Sequence, residues 1–362
     1  MPNLTLDQSR SRLRAVRALM KEEGLDALLV QGSPDVRYLS GYTGEGVRLF
    51  LTRRQSYLLA TYRNVTRVGE QTVGHTIVDT RDRSQFLQDW VKQHADAVVG
   101  VAQSTPHTAF LAHRRSLRPA RLKSTDVVRQ ARAVKSDDEI ALLRHAQQKA
   151  EGIFAAICDE LRPGMTEHQV HNRILQLIYA DDSLEGPAFP PICAGGPSAW
   201  GTHSYYTERR IRRNECIIFD LGVRYKGYCS DMTRTVFLGK PTRKMREVHG
   251  IVLEAQERAI EAARNGATVG DIVQAARGHI DACGYGNHFD HGLGHGLGMD
   301  VHELPGLGRD GKKPLPAGSV VTVEPGIYIE GEFGVRIEDA LVVGHDGVEN
   351  LTHTPKELTV VR

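Results

Sequence analysis

Four carboxylates lie where the chain otherwise reads as buried strand. Asp220 stands in the run 216–221, and Asp231 in the run 229–238. Glu324 closes the run 320–324, and Glu338 lies within GVRIEDALVV at 334–343. Each run is apolar and rich in β-branched residues, as strands are. The first two runs flank a glycine-containing turn and read as a hairpin. A turn at Tyr225 and Lys226 sets Asp220 opposite Asp231, and like charges on opposed positions repel, so a fold that keeps both must offset them. Glu324 precedes Pro325-Gly326, where a turn carboxylate is the plain reading. In 334–343 alternation places Arg336, Glu338 and Ala340 on one face. There Arg336 is expected to hold the Glu338 carboxylate, and a buried salt bridge is the plain reading of that pair.

The segment HGLGHGLGMDVHE at 291–303 adds three histidines interleaved with glycines. Gly292, Gly294 and Gly296 let the backbone run close to whatever His295 touches. Taken together, Asp220, Asp231, Glu324 and Glu338 carry four negative charges that two divalent cations would neutralise, and His295 supplies one borderline nitrogen. That donor set suits Mn, Co, Fe or Zn better than Mg or Ca, and without a thiolate it is not a structural zinc site. Two ions about 3.5–4 Å apart share a bridging water and deprotonate it near neutral pH. The expected product is a metal-bridging hydroxide aimed at an amide or ester carbonyl.

Composition narrows the class. A chain of 362 residues is long enough for two domains. With 40% hydrophobic and 25% charged residues, disorder and collagen-like structure are excluded. Lys and Arg total 46 against 44 Asp and Glu, a net +2, so no broad basic footprint for nucleic acid is expected. Arg209, Arg210, Arg212 and Arg213 read as a solvated turn. The N-terminus lacks the apolar core of a signal peptide, and no run reaches the ~18 apolar residues of a membrane span. A cytoplasmic protein with no membrane partner is expected. Five widely spaced cysteines without a CxxC pair read as reduced, mostly buried thiols.

Along the chain, Leu13, Val16 and Met20 share one face of an N-terminal helix that stops at Gly24. Apolar runs at 27–30, 49–51, 57–60 and 97–101, with a helix around Phe86, Leu87 and Trp90, make residues 1–130 a small α/β domain. SDDE at 136–139 is a capping box in which Ser136 and Glu139 bond reciprocally. The helix it opens runs on Ile140, Leu143, Ala150, Ile153 and Ile157 to Pro163-Gly164. The boundary falls just before Ser136, and the second domain is 136–362. Within it, residues 162–170 resemble 264–272 at an offset of 102: a helix ends at Gly, and Thr166 or Thr268 caps the next. Two similar α+β halves would put a site at their seam.

Here a family resemblance enters. Asp220, Asp231, His295, Glu324 and Glu338, in the settings FDLG, SDMTRT, GHGLG, VEPGIY and RIED, resemble the five ligands of the metallopeptidases that include methionine aminopeptidase, aminopeptidase P and prolidase. VHE at 301–303 and His203, 17 residues before the first Asp, resemble the proline-specific branch. ALLVQGSPDVRYLSGY at 27–42 resembles that branch's N-terminal domain. The resemblance implies an α+β pita-bread catalytic domain behind a creatinase-like α/β domain. It implies two divalent ions, Mn foremost with Co, Zn or Fe as alternatives, and hydrolysis of the Xaa-Pro bond of short peptides. By position, Asp220 would chelate one ion and His295 and Glu324 the other, with Asp231 and Glu338 bridging. Glu324 would also relay the proton, and His203 and His302 would bind substrate and stabilise the oxyanion. Tyr328, Trp200, Arg336 and Arg309 are the candidate substrate contacts, Arg309 for a proline carboxylate. Relatives of the branch are commonly homodimers, so a homodimer is expected. A creatinase-like hydrolase of a small amide or guanidino compound, and a non-catalytic binding module, are the alternatives on the same fold.

Overall fold

A computed structural model of the chain describes residues 3–79, 83–201, 206–264, 266–308 and 311–361. The chain divides into two compact units, Met1–Arg132 and Ala133–Arg362.

In the first unit the strand Ala27–Val30 is buried along its whole length, as its unbroken apolar run requires of a strand covered on both faces. It pairs antiparallel with Arg48–Thr52 and parallel with Val98–Ala102, at the centre of a six-stranded mixed sheet. The helix Leu6–Glu22 opens on a capping box of Thr5 and Gln8 and buries Leu13, Val16 and Met20. Phe86 and Trp90, from the helix Arg83–Gln93, meet Phe50 edge to face.

The second unit repeats one plan twice. The helices Asp137–Glu160 and Glu167–Tyr179 bury Ala150, Ile157, Val170 and Ile174 in one core with Ile217, Phe219 and Val236. Those residues belong to a four-stranded sheet built from Ile192–Gly195, Glu215–Leu221, Met232–Leu238 and Thr359–Val361. The helices Arg243–Ala262 and Val269–Ala282 likewise bury Val248, Val252, Ile272 and Ala276 with Val321, Val323 and Leu341 of a five-stranded sheet. Each fully buried Leu, Ile or Phe contributes about 1.5–3 kcal/mol.

The sequence repeat has a backbone counterpart. The Gly164 N–H donates to the Ile211 carbonyl at 2.8 Å, and the Gly266 N–H to the Leu315 carbonyl at 3.0 Å. Thr166 and Thr268 cap the second helix of each half, accepting from Gln169 and Asp271. Ser136 and Glu139 form the reciprocal cap of Asp137–Glu160. The five cysteines are free, with Cys193, Cys216 and Cys229 buried.

Two strand expectations require correction. The hairpin turns at Lys226-Gly227, one residue later than expected, because both residues adopt positive φ, 47° and 88°, as a two-residue type I′ turn demands. Asp220 therefore pairs with Thr233, not with Asp231. The run 334–343 is also not one strand. Phe333–Arg336 pairs with Gly326–Ile329, whereas Asp339–Val343 joins the five-stranded sheet. Between them the Glu338 N–H donates to the Thr233 carbonyl at 3.0 Å, which carries the chain from one ladder to the other.

Candidate metal centre

Strand alternation aims the acids. Phe219 and Leu221 enter the helix-covered core, so Asp220 between them faces the opposite side. Met232 enters the same core, which puts Asp231 and Thr233 on the side of Asp220. Since Asp220 pairs with Thr233, the two aspartates are diagonal neighbours on one face.

From the other half, His295 sits in Gly294–Gly296 and Glu324 directly follows Val320–Val323. The flanking glycines are required by close approach. A Cβ on Gly294 would lie 2.0 Å from the Thr322 carbonyl oxygen, and one on Gly296 2.4 Å from that of Leu304. The His295 N–H donates to the Thr322 hydroxyl at 3.1 Å, and the Glu324 N–H to the Leu293 carbonyl at 2.8 Å.

These elements bring all five residues to one cavity of about 580 Å³. Ligating atoms of Asp231, His295 and Glu338 lie within 4.8 Å of one another. His295 Nε2 stands 3.5 Å from Asp231 Oδ2 and 3.5 Å from Glu324 Oε1. Phe189, Pro190, Ile192 and Val301 form an apolar part of the wall.

Electrostatics define what the site lacks. Burial, then the charges of Glu338, Asp220 and Glu324, push the Asp231 carboxyl well above the ordinary range. Burial and Glu324 do the same to Glu338. Burial pushes Glu324 up to about 8 against the opposing pull of Arg336. Arg336 is the one guanidinium among the described residues lining the cavity. Four carboxylates facing one guanidinium carry an excess of negative charge when ionised, which divalent cations would neutralise. Burial, with His302 beside it, holds His295 near pKa 4, so its ring is the neutral imidazole a metal requires. The donor set therefore fits two divalent ions.

The remaining predicted residues are distributed unevenly. His302 lines the cavity with its ring 4.1 Å from that of His295, edge to face. Arg336 also lines it, but the expectation that it holds Glu338 needs correction. Its Nη2 donates to Asp220 Oδ2 at 2.6 Å, its Nη1 to the Tyr328 hydroxyl at 2.9 Å and its Nε to the Thr233 hydroxyl at 3.1 Å. The switch of ladders at Glu338 turns the two side chains to different partners. Tyr328 is buried and stands behind the cavity wall, its hydroxyl 3.0 Å from His291 Nε2. Trp200 is 47% exposed and is not brought into the cavity. His203 and Arg309 lie outside the described residues.

Sequence reasoning overlooked the supports. The Thr233 hydroxyl donates to Glu338 Oε2 at 2.8 Å. Buried Arg234 donates through Nη1 to the Glu338 carbonyl at 2.6 Å and through Nη2 to Asp339 Oδ1 at 2.7 Å, holding the chain where it enters the second ladder. The period-2 run Asp231, Thr233, Thr235 was a legible signal for one polar face. Nothing local marked Arg234, whose carboxylate partner Asp339 is 105 residues away.

The chain matches two family models and resembles several solved structures. Residues 141–345 match the model of metallopeptidase family M24, and residues 12–134 that of the creatinase/prolidase N-terminal domain. An Xaa-Pro dipeptidase of Pyrococcus horikoshii is 31% identical over 98% of this chain and 100% of its own. The solved structure of an Xaa-Pro dipeptidase from Bacillus anthracis superposes with TM-score 0.93 at 33% identity, covering 97% of this chain and 99% of that one. An X-Pro aminopeptidase from Thermotoga maritima superposes with TM-score 0.86 at 32% identity, covering 93% and 98%.

Proposed function

The chain belongs to metallopeptidase family M24, and from that premise we propose that it hydrolyses the Xaa-Pro bond of short peptides. The observation that carries this reading is the convergence of Asp220, Asp231, His295, Glu324 and Glu338 on one cavity with an apolar wall. Those five side chains would hold two divalent ions, Asp220 on one, His295 and Glu324 on the other, with Asp231 and Glu338 shared. When bound, the ions supply Lewis acidity and bring the pKa of a water near neutrality. Glu324 would accept that water's proton at its carboxylate and return it to the leaving nitrogen as the carbonyl carbon gains an oxygen and the C–N bond breaks. His302, which lines the cavity, would donate to the developing oxyanion. Arg336, fixed by Tyr328 and Asp220, orients the first aspartate.

A tertiary Xaa-Pro amide has no N–H, and its ring is fixed and apolar. Phe189, Pro190, Ile192 and Val301 offer a surface for such a ring. Manganese as the resident ion, a cytoplasmic location, a homodimer and a role for His203 in substrate binding belong to the same proposal, supported by the resemblance to the proline-specific branch, with Arg309 as the candidate partner of the proline carboxylate. Light scattering tests the dimer, and a 40.1 kDa species alone would remove it.

The deciding experiment compares kcat/KM of the Mn-loaded protein for Ala-Pro, Ala-Pro-Ala and Ala-Ala-Ala, with Arg309→Ala alongside. Proline substrates are expected to exceed Ala-Ala-Ala by about 100-fold or more. Equal rates on all three would overturn the proline reading. Loss of the Ala-Pro preference over Ala-Pro-Ala in Arg309→Ala would place that guanidinium at the proline carboxylate.

A further inference from the structure

The near-neutral total charge conceals an uneven division. Residues 1–132 hold 21 Lys and Arg against 12 Asp and Glu, a net +9, so the remaining 230 residues carry −7. Part of that excess gathers around one concavity of the first unit. A cavity of about 570 Å³ is lined by Arg10, Arg14, Arg17 and Arg54, with Ser56 and His75 among the other walls. Arg10, Arg14 and Arg17 fall at i, i+4 and i+7 of the helix Leu6–Glu22, a single face whose Cα atoms span about 10 Å. Arg54 reaches the same cavity from the turn between Arg48–Thr52 and Ser56–Ala60.

Among the described residues none of these four guanidinium groups meets a carboxylate. Arg53, the neighbour of Arg54, pairs instead with Asp26 outside the cavity, at 2.9 Å. Arg17 is half-buried, with Nε donating to the Thr52 carbonyl at 3.0 Å, and burial draws its pKa below the ordinary guanidinium value. His75 is held between the Ser56 hydroxyl at 2.7 Å and the Ser9 hydroxyl at 3.2 Å, and burial keeps it neutral, with a pKa of about 4. The cavity thus combines a neutral polar floor with a cationic rim. Arg10, Arg14 and Arg54 are exposed and Arg17 has the Thr52 carbonyl as acceptor, so the rim presents guanidinium donors that no carboxylate among the described residues takes up.

We propose that this cavity binds a small anion carrying several phosphate groups, at a site separate from the carboxylate centre. Four arginines lining one cavity, three of them along one helix face, suit a chain of phosphates better than a single one, since each guanidinium can take two phosphate oxygens through paired N–H donors. The concave shape favours a small molecule over an extended polymer. Free polyphosphate and a nucleoside triphosphate present the same chemistry. This inference does not depend on the peptidase reading.

The test is isothermal titration of the full, metal-loaded chain with orthophosphate, tripolyphosphate and ATP at about 0.1 M salt. Tripolyphosphate or ATP is expected to bind at least tenfold more tightly than orthophosphate, and Arg14→Gln/Arg54→Gln to weaken that binding about tenfold or more. Arg114→Gln/Arg115→Gln removes two exposed charges elsewhere in the same unit and is expected to change affinity less than about twofold. Preference for ATP over tripolyphosphate would assign the site to a nucleotide, and the reverse to free polyphosphate. Chelation of the active-site ions would give heat that both arginine variants retain, so binding unchanged in Arg14→Gln/Arg54→Gln overturns the proposal. Equal weakening by the two variants also overturns it, showing diffuse attraction rather than a site. Single-stranded RNA that binds without competition from tripolyphosphate overturns it in favour of a polymer surface.

Discussion

Asp231 and Glu338 show what a buried acid costs when it stands alone and what it gains in company. In the metal-free chain each is pushed toward its protonated form by burial and by its neighbours. Replacing Glu338 with Gln removes the cost of either burying that charge or binding a proton, while keeping the shape that accepts the Thr233 hydroxyl. The metal-free Glu338→Gln protein is therefore expected to melt higher than the metal-free wild type. Elemental analysis should find it unable to retain two ions, since Glu338 would be shared by both. Retention of two ions per chain with normal turnover would remove Glu338 from the ligand set. His302 should behave in the opposite way. In His302→Ala the metal content is expected to persist while turnover falls about 10²–10³-fold, the usual cost of one lost oxyanion donor.

Among the elements, the strands at the centre are held by contacts that cross between the two halves. Thr233 lies on Met232–Leu238, yet its hydroxyl serves Glu338 and Arg336 beyond the other half's ladder. Thr233→Val keeps the β-branched shape that a strand prefers but leaves Glu338 and the Arg336 Nε without that hydroxyl. It is expected to weaken metal affinity about 10-fold or more, read by competition with a chelator, because outer partners orient ligands. Ser136→Ala breaks the capping box between Ser136 and Glu139, neither of which lines the carboxylate cavity. Its expected signature is a loss of about 1 kcal/mol in denaturant unfolding with unchanged metal affinity. If both variants lost metal affinity equally, Thr233 would be acting through general stability alone.

For the whole molecule, pH separates the metal-free from the loaded state. Glu324 has a folded pKa of about 8, above its unfolded value of 4.5, so the folded chain binds more protons than the unfolded chain between those values. Stability of the metal-free protein must then fall as pH rises through that window. His75 and His249 act with the other sign. Their folded values near 4 lie below 6.5, so their contribution is present above pH 6.5 and is lost as pH falls toward 4. Between pH 7 and 8 the contribution of these two histidines changes little, most of it being complete by pH 7, and the raised carboxyls dominate. The melting temperature of metal-free protein is expected to drop across that interval, and manganese to abolish the drop. A metal-free melting temperature independent of pH from 7 to 8 would refute the account of the raised carboxyls.

Much of this was legible in the residues because it is local. The apolar periods of Leu6–Glu22 and Asp137–Glu160, the reciprocal cap at Ser136 and the glycines around His295 each follow from neighbours a few positions away. The donor residues could be picked out because acids inside β-branched runs need a reason. Even the misplaced hairpin turn did no harm to that reading. Moving the turn from Tyr225-Lys226 to Lys226-Gly227 shifts the register by two residues, and a shift of two leaves every side chain on the same face. Tertiary structure alone decided which strand Glu338 leaves and which it joins, why Arg336 reaches Asp220, and how Arg234 clamps the crossing. It also decided that arginines from a helix and a distant turn meet at one cavity. Those pairings join residues far apart in the chain. They are set by which backbone and side-chain groups remain to be satisfied once the sheets have packed, and no local pattern carries that information.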